Sequence, residues 1–387
     1  MPQPQTEGDR GAPSLRIVHV GIDNLRESVD GMARYVWCVA REQAAAGHDV
    51  TVLMPSDLWR QAAADVADEG VRVEALVGPV GTRSAWSIAR SRPDVVHIHG
   101  VWRPSTGVLG VSMRAAGVAY VCTPHGALNA VIMASSRLQR AVYCALAARR
   151  VVHGAVAVTA CIEAEVAEIK LFLGRRSSVV PVPVVVPPIE VAAGAGTWPS
   201  ESAASRRIVY LGRLDVAHKG IDRLAAIGAA LPDTQIALHG VIVPEVEEEV
   251  GAIRRTATPN VHFGEPIFGE EKLRALLSAA LYVQPSRWEG FSFSLGEAML
   301  LGVPCAISAS LPLAAEFRSG DLGLLLPDDP AEAAALVDRA LGDPETLRRW
   351  SANGRRFAES RFSPSAAAAQ LADIYRQGGR RRRLRKQ

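Results

Sequence analysis

The stretch Arg207-Ile208-Val209-Tyr210-Leu211-Gly212-Arg213-Leu214 decides the fold class of this chain. An apolar, β-branched and aromatic run reads as a buried strand, and the glycine that ends it opens a tight connection. Arg213 follows at once, and His218-Lys219-Gly220 comes four residues after Leu214. In parallel sheets ligands bind beyond the carboxyl ends of the strands, where Arg and Lys suit phosphate oxygens. Surface ion pairing is the plainer alternative for the same two cations.

The same kind of run recurs on both sides. Before it come Leu15–Val20, Asp49–Leu53, Val71–Leu76, Asp94–Ile98, Val118–Cys122 and Ala155–Thr159; after it come Gln235–His239, Val261–Phe263, Leu281–Gln284, Val303–Ile307 and Gly323–Leu326. Helical patterns such as Met32–Ala46 and Ser135–Arg150 separate the strands, which is the mark of parallel sheets with crossover helices. Gly47 closes the first of these helices. A chain of 387 residues suits two domains, and Pro181 to Ser205, rich in Pro, Gly, Ala and Ser, reads as passing between them. The expected organisation is a disordered start (1–14), a first domain (15–185), a linker (186–205), a second domain (206–364), a helix at 365–376 that ends the second unit or crosses back onto the first, and a basic tail (377–387).

Hydrophobic residues at 48% and charged residues at 21% describe a folding globular chain and exclude a disordered one. The five cysteines form no close pair and read as reduced core residues. Met1 to Ser14 lacks the apolar stretch of a secretory signal, and Arg149, Arg150 and His153 interrupt the best candidate for a membrane span. A cytoplasmic location is expected. The last twelve residues carry seven basic side chains, so subtracting them from the net charge of +3 leaves −4 for the body. Such a tail suits peripheral contact with an anionic inner membrane face, or equally a solvated end; nucleic acid is not expected as a partner.

A second constellation is Trp288-Glu289-Gly290-Phe291-Ser292-Phe293-Ser294-Leu295-Gly296-Glu297. It follows a strand and enters a helix, which puts Glu289 in the loop and Glu297 on the helix. Free N–H groups at such a helix start favour an anion. A glycosidase-like carboxylate pair is a rival reading. On a helix eight residues span about 12 Å, wider than the roughly 5–9.5 Å of hydrolase pairs, but with Glu289 in the loop the distance stays open.

Together, Gly212-Arg213, Lys219 and the spaced Glu289 and Glu297 resemble the donor site of glycosyltransferase family four, whose members are retaining enzymes of the GT-B fold. The resemblance covers nearly the whole chain. It implies an α/β architecture of two tandem Rossmann-like, doubly wound domains facing across a cleft. It further implies that Arg213 and Lys219 bind the donor diphosphate, that Glu289 contacts sugar hydroxyls and Glu297 the ribose, and that the amides around Gly290, Phe291 and Ser292 complete a phosphate cradle. Base contacts would come from loops near Gly240 and Gly264.

Three further matches lie in the first half. Thr123-Pro124-His125-Gly126 resembles the family's active-site histidine segment, which implies that His125 faces the transferred sugar. Asp30-Gly31-Met32 stands where the family often has two glycines near the phosphate, and here only Gly31 is present. His97-Ile98-His99-Gly100-Val101-Trp102-Arg103-Pro104 resembles an acceptor-side loop, with His99, Trp102 and Arg103 as the candidate contacts or as packing of the cleft floor. Pro183-Val184-Val185-Val186-Pro187 replaces the Asn-Gly turn that often ends the family's first domain.

The implied reaction moves a hexosyl or N-acetylhexosaminyl group from a UDP- or GDP-linked sugar to a hydroxyl of a small-molecule or lipid-linked saccharide acceptor. No cofactor and no metal are expected, since Arg213 and Lys219 carry the positive charge a cation would otherwise supply. Asp328-Asp329, between two prolines, reads as a solvated turn. A sugar-nucleotide epimerase or hydrolase of the same fold, and a noncatalytic nucleotide-sugar-binding module, are the alternatives. An NAD site is disfavoured because Gly21-Ile22-Asp23-Asn24 lacks the G-x-G-x-x-G fingerprint.

Overall fold

A computed structural model describes residues 13–21, 31–55, 60, 69–78, 82–102, 104–128, 148–173, 179–186 and 197–384. Within them the chain divides into two compact units, Met1–Val185 with Pro364–Gln387, and Val186–Ser363.

The first unit holds seven strands: β1 (Arg16–Val20), β2 (Asp49–Pro55), β3 (Val71–Leu76), β4 (Val95–His99), β5 (Tyr120–Thr123), β6 (Ala157–Ala160) and β7 (Val179–Pro181). They form one sheet in the order β3-β2-β1-β4-β5-β6-β7, and all pairings are parallel. Strands buried on both faces need continuous apolar runs, and β4 is buried along its whole length. The helix Gly31–Ala45 ends where Gly47, at φ +87°, takes the left-handed conformation. The helix Pro364–Leu384 returns to this unit, with Leu371 and Tyr375 buried.

The second unit has six parallel strands, β8 (Arg207–Leu211), β9 (Gln235–His239), β10 (Val261–Gly264), β11 (Leu281–Gln284), β12 (Cys305–Ser308) and β13 (Gly323–Leu326). Their order is β10-β9-β8-β11-β12-β13. In each sheet the strand order reverses once, between β1 and β4 and between β8 and β11. A crevice opens at such switch points beyond the carboxyl ends. The loops that follow these four strands are therefore where a ligand site belongs.

Three expectations are corrected. The short strand β7 was not among the expected strands; at the edge of the sheet it tolerates Pro181 at its end. Trp198, inside the expected linker, is buried in the second unit and donates from Nε1 to the Ala279 carbonyl at 2.7 Å. Burial of so large an apolar ring outweighs the composition around it. The last helix runs beyond Arg376 to Leu384 rather than giving way to a tail at 377. Asp328-Asp329 is an exposed bend, as read, in which Asp329 caps the helix Pro330–Leu341 through the Glu332 N–H at 2.8 Å and Asp328 pairs with Arg223 at 2.7 Å. Residues 1–12 and most of Ser135–Arg150 lie outside the described residues. Cys38, Cys122 and Cys305 are buried and Cys161 is half-buried.

Candidate functional site

In the second unit, the loop after β8 and the loop after β11 meet at the switch point. Gly220 is left-handed at φ +66°, and a Cβ there would lie 2.3 Å from the Pro285 carbonyl oxygen, so only glycine lets the two loops approach so closely. Lys219 is thereby held against the second loop. Its Nζ donates to Glu289 Oε1 at 2.5 Å, with the two side chains only 16% and 8% exposed. The same oxygen accepts from Ser286 Oγ at 2.7 Å and from Gln284 Nε2 at 3.2 Å. Three donors therefore converge on Oε1, and Oε2 is the oxygen left for other contacts.

Arg213 is more open. One guanidinium nitrogen lies 2.9 Å from His218 Nδ1 and 3.5 Å from Asp215 Oδ2. His218 stacks flat on Trp288, with centroids 3.6 Å apart. Burial, with the Lys219 and Arg213 charges nearby, pushes the His218 imidazole down to about 3. The ring is neutral, and it accepts from Arg213 rather than competing as a third cation.

Ser292 caps the helix Phe293–Leu300, accepting from the Leu295 N–H at 3.3 Å, and donates to Gln284 Oε1 at 2.8 Å. Glu289 lies in the loop, and Glu297 is buried on the helix, where Lys272 Nζ reaches its Oε1 at 2.8 Å. Glu289, Gly290, Phe291 and Ser292 line a hollow with Leu295 and Ile307. A second recess, bordered by Leu214, Gly240, Val241, Phe263, Gly264 and Glu265, lies beyond β9 and β10. Sequence reading missed Lys272 and Gln284. A lysine in Gly269-Glu270-Glu271-Lys272 looks like ordinary surface charge, and nothing local marks its partner 25 residues away.

In the first unit, Gly31 starts a helix and His125 follows β5. His125 has φ +56° and Gly126 φ +72°, so the backbone turns sharply at this pair. Glu165 holds the turn: Oε1 accepts from the Gly126 N–H at 2.6 Å and Oε2 from the Cys161 N–H at 2.8 Å. Sequence reading missed this residue, which looks like one more glutamate in an acidic helix. Replacing Glu165 by glutamine puts an NH2 opposite one of those N–H groups. We expect a loss of about 1–3 kcal/mol in denaturant unfolding.

His99, expected at the acceptor side, is wholly interior. Its Nδ1 lies 3.0 Å from His125 Nε2 and its Nε2 3.0 Å from His19 Nδ1, so both ring nitrogens are engaged inside the protein. Long-range strand pairing brings these residues together: β1 and β4 are neighbours, and His19 pairs with His97 in register. Trp102 donates to the Ala127 carbonyl at 2.8 Å, and Arg103 lies outside the described residues. His19, His97 and His99 are close enough to share a metal ion, yet each of their ring nitrogens already has a hydrogen-bond partner.

Burial lowers the pKa of all four rings, to about 4 for His19, about 3 for His125, and well below the usual value for His97 and His99. They are neutral in the fold, whereas the unfolded chain protonates them near 6.5. Stability should therefore be complete above about pH 6.5 and fall as the pH drops toward the folded values, with a slope of up to about 1.4 kcal/mol per pH unit for each ring. Denaturant midpoints measured between pH 7.5 and 5 check this.

Among the described residues no helix is long and apolar enough to cross a membrane. Residues 30–185 match the glycosyl transferase 4-like domain and residues 200–357 match glycosyl transferases group 1. The chain is 32% identical over 182 residues to the MMP alpha-(1->4)-mannosyltransferase of Mycolicibacterium hassiacum, covering 46% of this chain and 44% of that protein. It is 30% identical over 182 residues to the alpha-D-kanosaminyltransferase of Streptomyces kanamyceticus, covering 44% and 46%. The matched region thus spans about half the length of these relatives. Anabaena HepE, solved in complex with UDP and glucose, superposes with a TM-score of 0.74 at 16% identity over 94% of this chain and 100% of that one. The architecture is the two-domain α/β GT-B fold, and the chain belongs to the glycosyltransferases of group 1, with a glycosyl transferase 4-like domain preceding the group 1 domain.

Proposed function

We propose that this protein is a retaining glycosyltransferase that moves a hexosyl or N-acetylhexosaminyl group from a UDP- or GDP-linked sugar to a hydroxyl acceptor. The observation that carries the reading is the convergence of Arg213, Lys219 and Glu289 at the switch point of the second sheet. Relatives named as mannosyl- and kanosaminyltransferases, and a structural neighbour that holds UDP, support it.

Breaking the bond between sugar and diphosphate builds negative charge on the leaving phosphate, and preorganised cations and helix-start amides stabilise that charge most directly. Arg213, Lys219 and the N–H groups after Gly290 are assigned this role. Glu289 holds sugar hydroxyls, Glu297 the ribose, and the recess beside Gly240 and Gly264 the base. His125 is assigned to the transferred sugar and Gly31 to the phosphate. Retention then needs no covalent carboxylate: the acceptor attacks the face from which the phosphate departs, and the phosphate oxygen takes its proton. The acceptor is a small-molecule or lipid-linked saccharide of glycoconjugate or natural-product biosynthesis, with the basic C-terminal residues giving peripheral contact to an anionic membrane face.

Thermal stabilisation by a panel of UDP- and GDP-sugars tests the reading, because a ligand bound only by the folded state raises its stability. Absence of any shift at millimolar concentration would contradict it. The charge arrangement also predicts metal-independent transfer. Activity should survive excess EDTA, and activity lost to chelation and restored by Mg²⁺ or Mn²⁺ would reopen the search for a carboxylate cluster.

A further inference from the structure

Behind His125 lies a chain of buried polar groups that the reaction as described does not use. Gln43, on the helix Gly31–Ala45, is fully buried. Its Oε1 lies 2.8 Å from His19 Nε2, and its Nε2 donates to the Tyr375 hydroxyl at 3.4 Å. A carbonyl oxygen can only accept, so His19 carries its proton on Nε2. In a neutral imidazole the other nitrogen is then a lone pair, and His19 Nδ1 accepts from His99 Nε2 at 3.0 Å. The same rule makes His99 Nδ1 accept from His125 Nε2, again at 3.0 Å. His125 is left with an unprotonated Nδ1.

The other branch has matching polarity. Tyr375, accepting from Gln43, donates to His97 Nδ1 at 2.6 Å; His97 Nε2 then donates to Thr123 Oγ1 at 2.7 Å, and Thr123 meets Thr159. Burial keeps all four rings from taking up the second proton that would break the rule. Turning the Gln43 amide over would reverse every donor in both branches. The orientation of one amide therefore decides which nitrogen of His125 is protonated.

We propose that Gln43 is a positioning residue that fixes His125 in its Nε2–H tautomer through His19 and His99, so that Nδ1 is offered as a hydrogen-bond acceptor to a hydroxyl of the transferred sugar. This rests on the reading that His125 meets that sugar, and it adds a requirement that composition and motif do not express: the sugar must bring a hydroxyl hydrogen there.

Two-bond proton–nitrogen correlation spectra of the full chain, labelled with 15N-histidine and recorded at neutral pH, read the tautomers directly. His19, His99 and His125 are expected to be singly protonated, each on Nε2. A proton on His125 Nδ1 would overturn the proposal. Gln43→Leu should give mixed His125 tautomers and lower kcat about five- to tenfold with UDP-glucose or GDP-mannose as donor, the worth of one well-placed hydrogen bond, with little change in donor KM. A pure Nε2–H signal with unchanged kcat in that variant would also overturn it. Should Gln43→Leu fail to fold, the wild-type spectrum alone decides. Undiminished kcat in His125→Ala would remove the sugar contact, whereas the wild-type spectrum would still uphold or overturn the tautomer.

Discussion

Alanine at Arg213 or Lys219 is expected to weaken UDP and GDP binding by about ten- to hundredfold, since a hydrogen bond to a charged group contributes roughly 1.5–3 kcal/mol. The two variants should differ in stability. The Arg213 side chain is 44% exposed and lies 3.5 Å from Asp215 Oδ2, a looser contact, and Asp215 keeps the His218 N–H on Oδ1 when Arg213 is removed. Lys219 neutralises a Glu289 side chain only 8% exposed, and removing one partner of a buried pair costs about 3–5 kcal/mol when nothing else serves the other. Ser286 and Gln284 still donate to Glu289, which places the loss at or below the lower end of that range. Calorimetric titration together with denaturant unfolding separates the two effects. Arg213→Ala binding both nucleotides as tightly as the wild type would remove the diphosphate from this loop.

Glutamine at Glu289 should act on turnover. With Oε1 held by Lys219, Ser286 and Gln284, the amide oxygen can take that place, which leaves NH2 where Oε2 stood. A sugar hydroxyl that donated to Oε2 then faces a donor. The loss of one charge-assisted contact predicts a fall in kcat of about ten- to hundredfold, with UDP or GDP affinity nearly unchanged because Lys219 remains. A variant that loses nucleotide binding but turns over normally at saturation would reverse the assignment.

Much of the fold was legible because parallel sheets write themselves as apolar runs: both sheets show near the expected positions, and Gly47 closes its helix as read. What stayed hidden depends on contacts between distant residues. β7 is three residues long and ends in proline, so it carries too little apolar pattern to stand apart from the Pro-rich stretch after it. Trp198 looked like linker because its neighbours are small; its pocket is made elsewhere in the second unit. The site divides in the same way. Arg213, Lys219 and Glu289 sit in motifs whose strand-end position is visible locally, whereas Lys272 and Gln284 gain meaning only once Glu297 and Glu289 are in place. His99 read as a loop residue, yet it is the last residue of β4 and turns inward to His19 and His125. Gln43 drew no attention at all, being one polar residue in an amphipathic helix whose partners come from β1 and the final helix.

The most direct test of the account is a crystal structure of the protein with bound UDP or GDP. The diphosphate is predicted to lie within hydrogen-bond distance of Arg213 and Lys219 and of the backbone amides of residues 290–292, with the base in the recess beside Gly240 and Gly264. A diphosphate bound elsewhere in the second unit, or held only by residues of the first, would contradict the assignment of this switch point as the donor site.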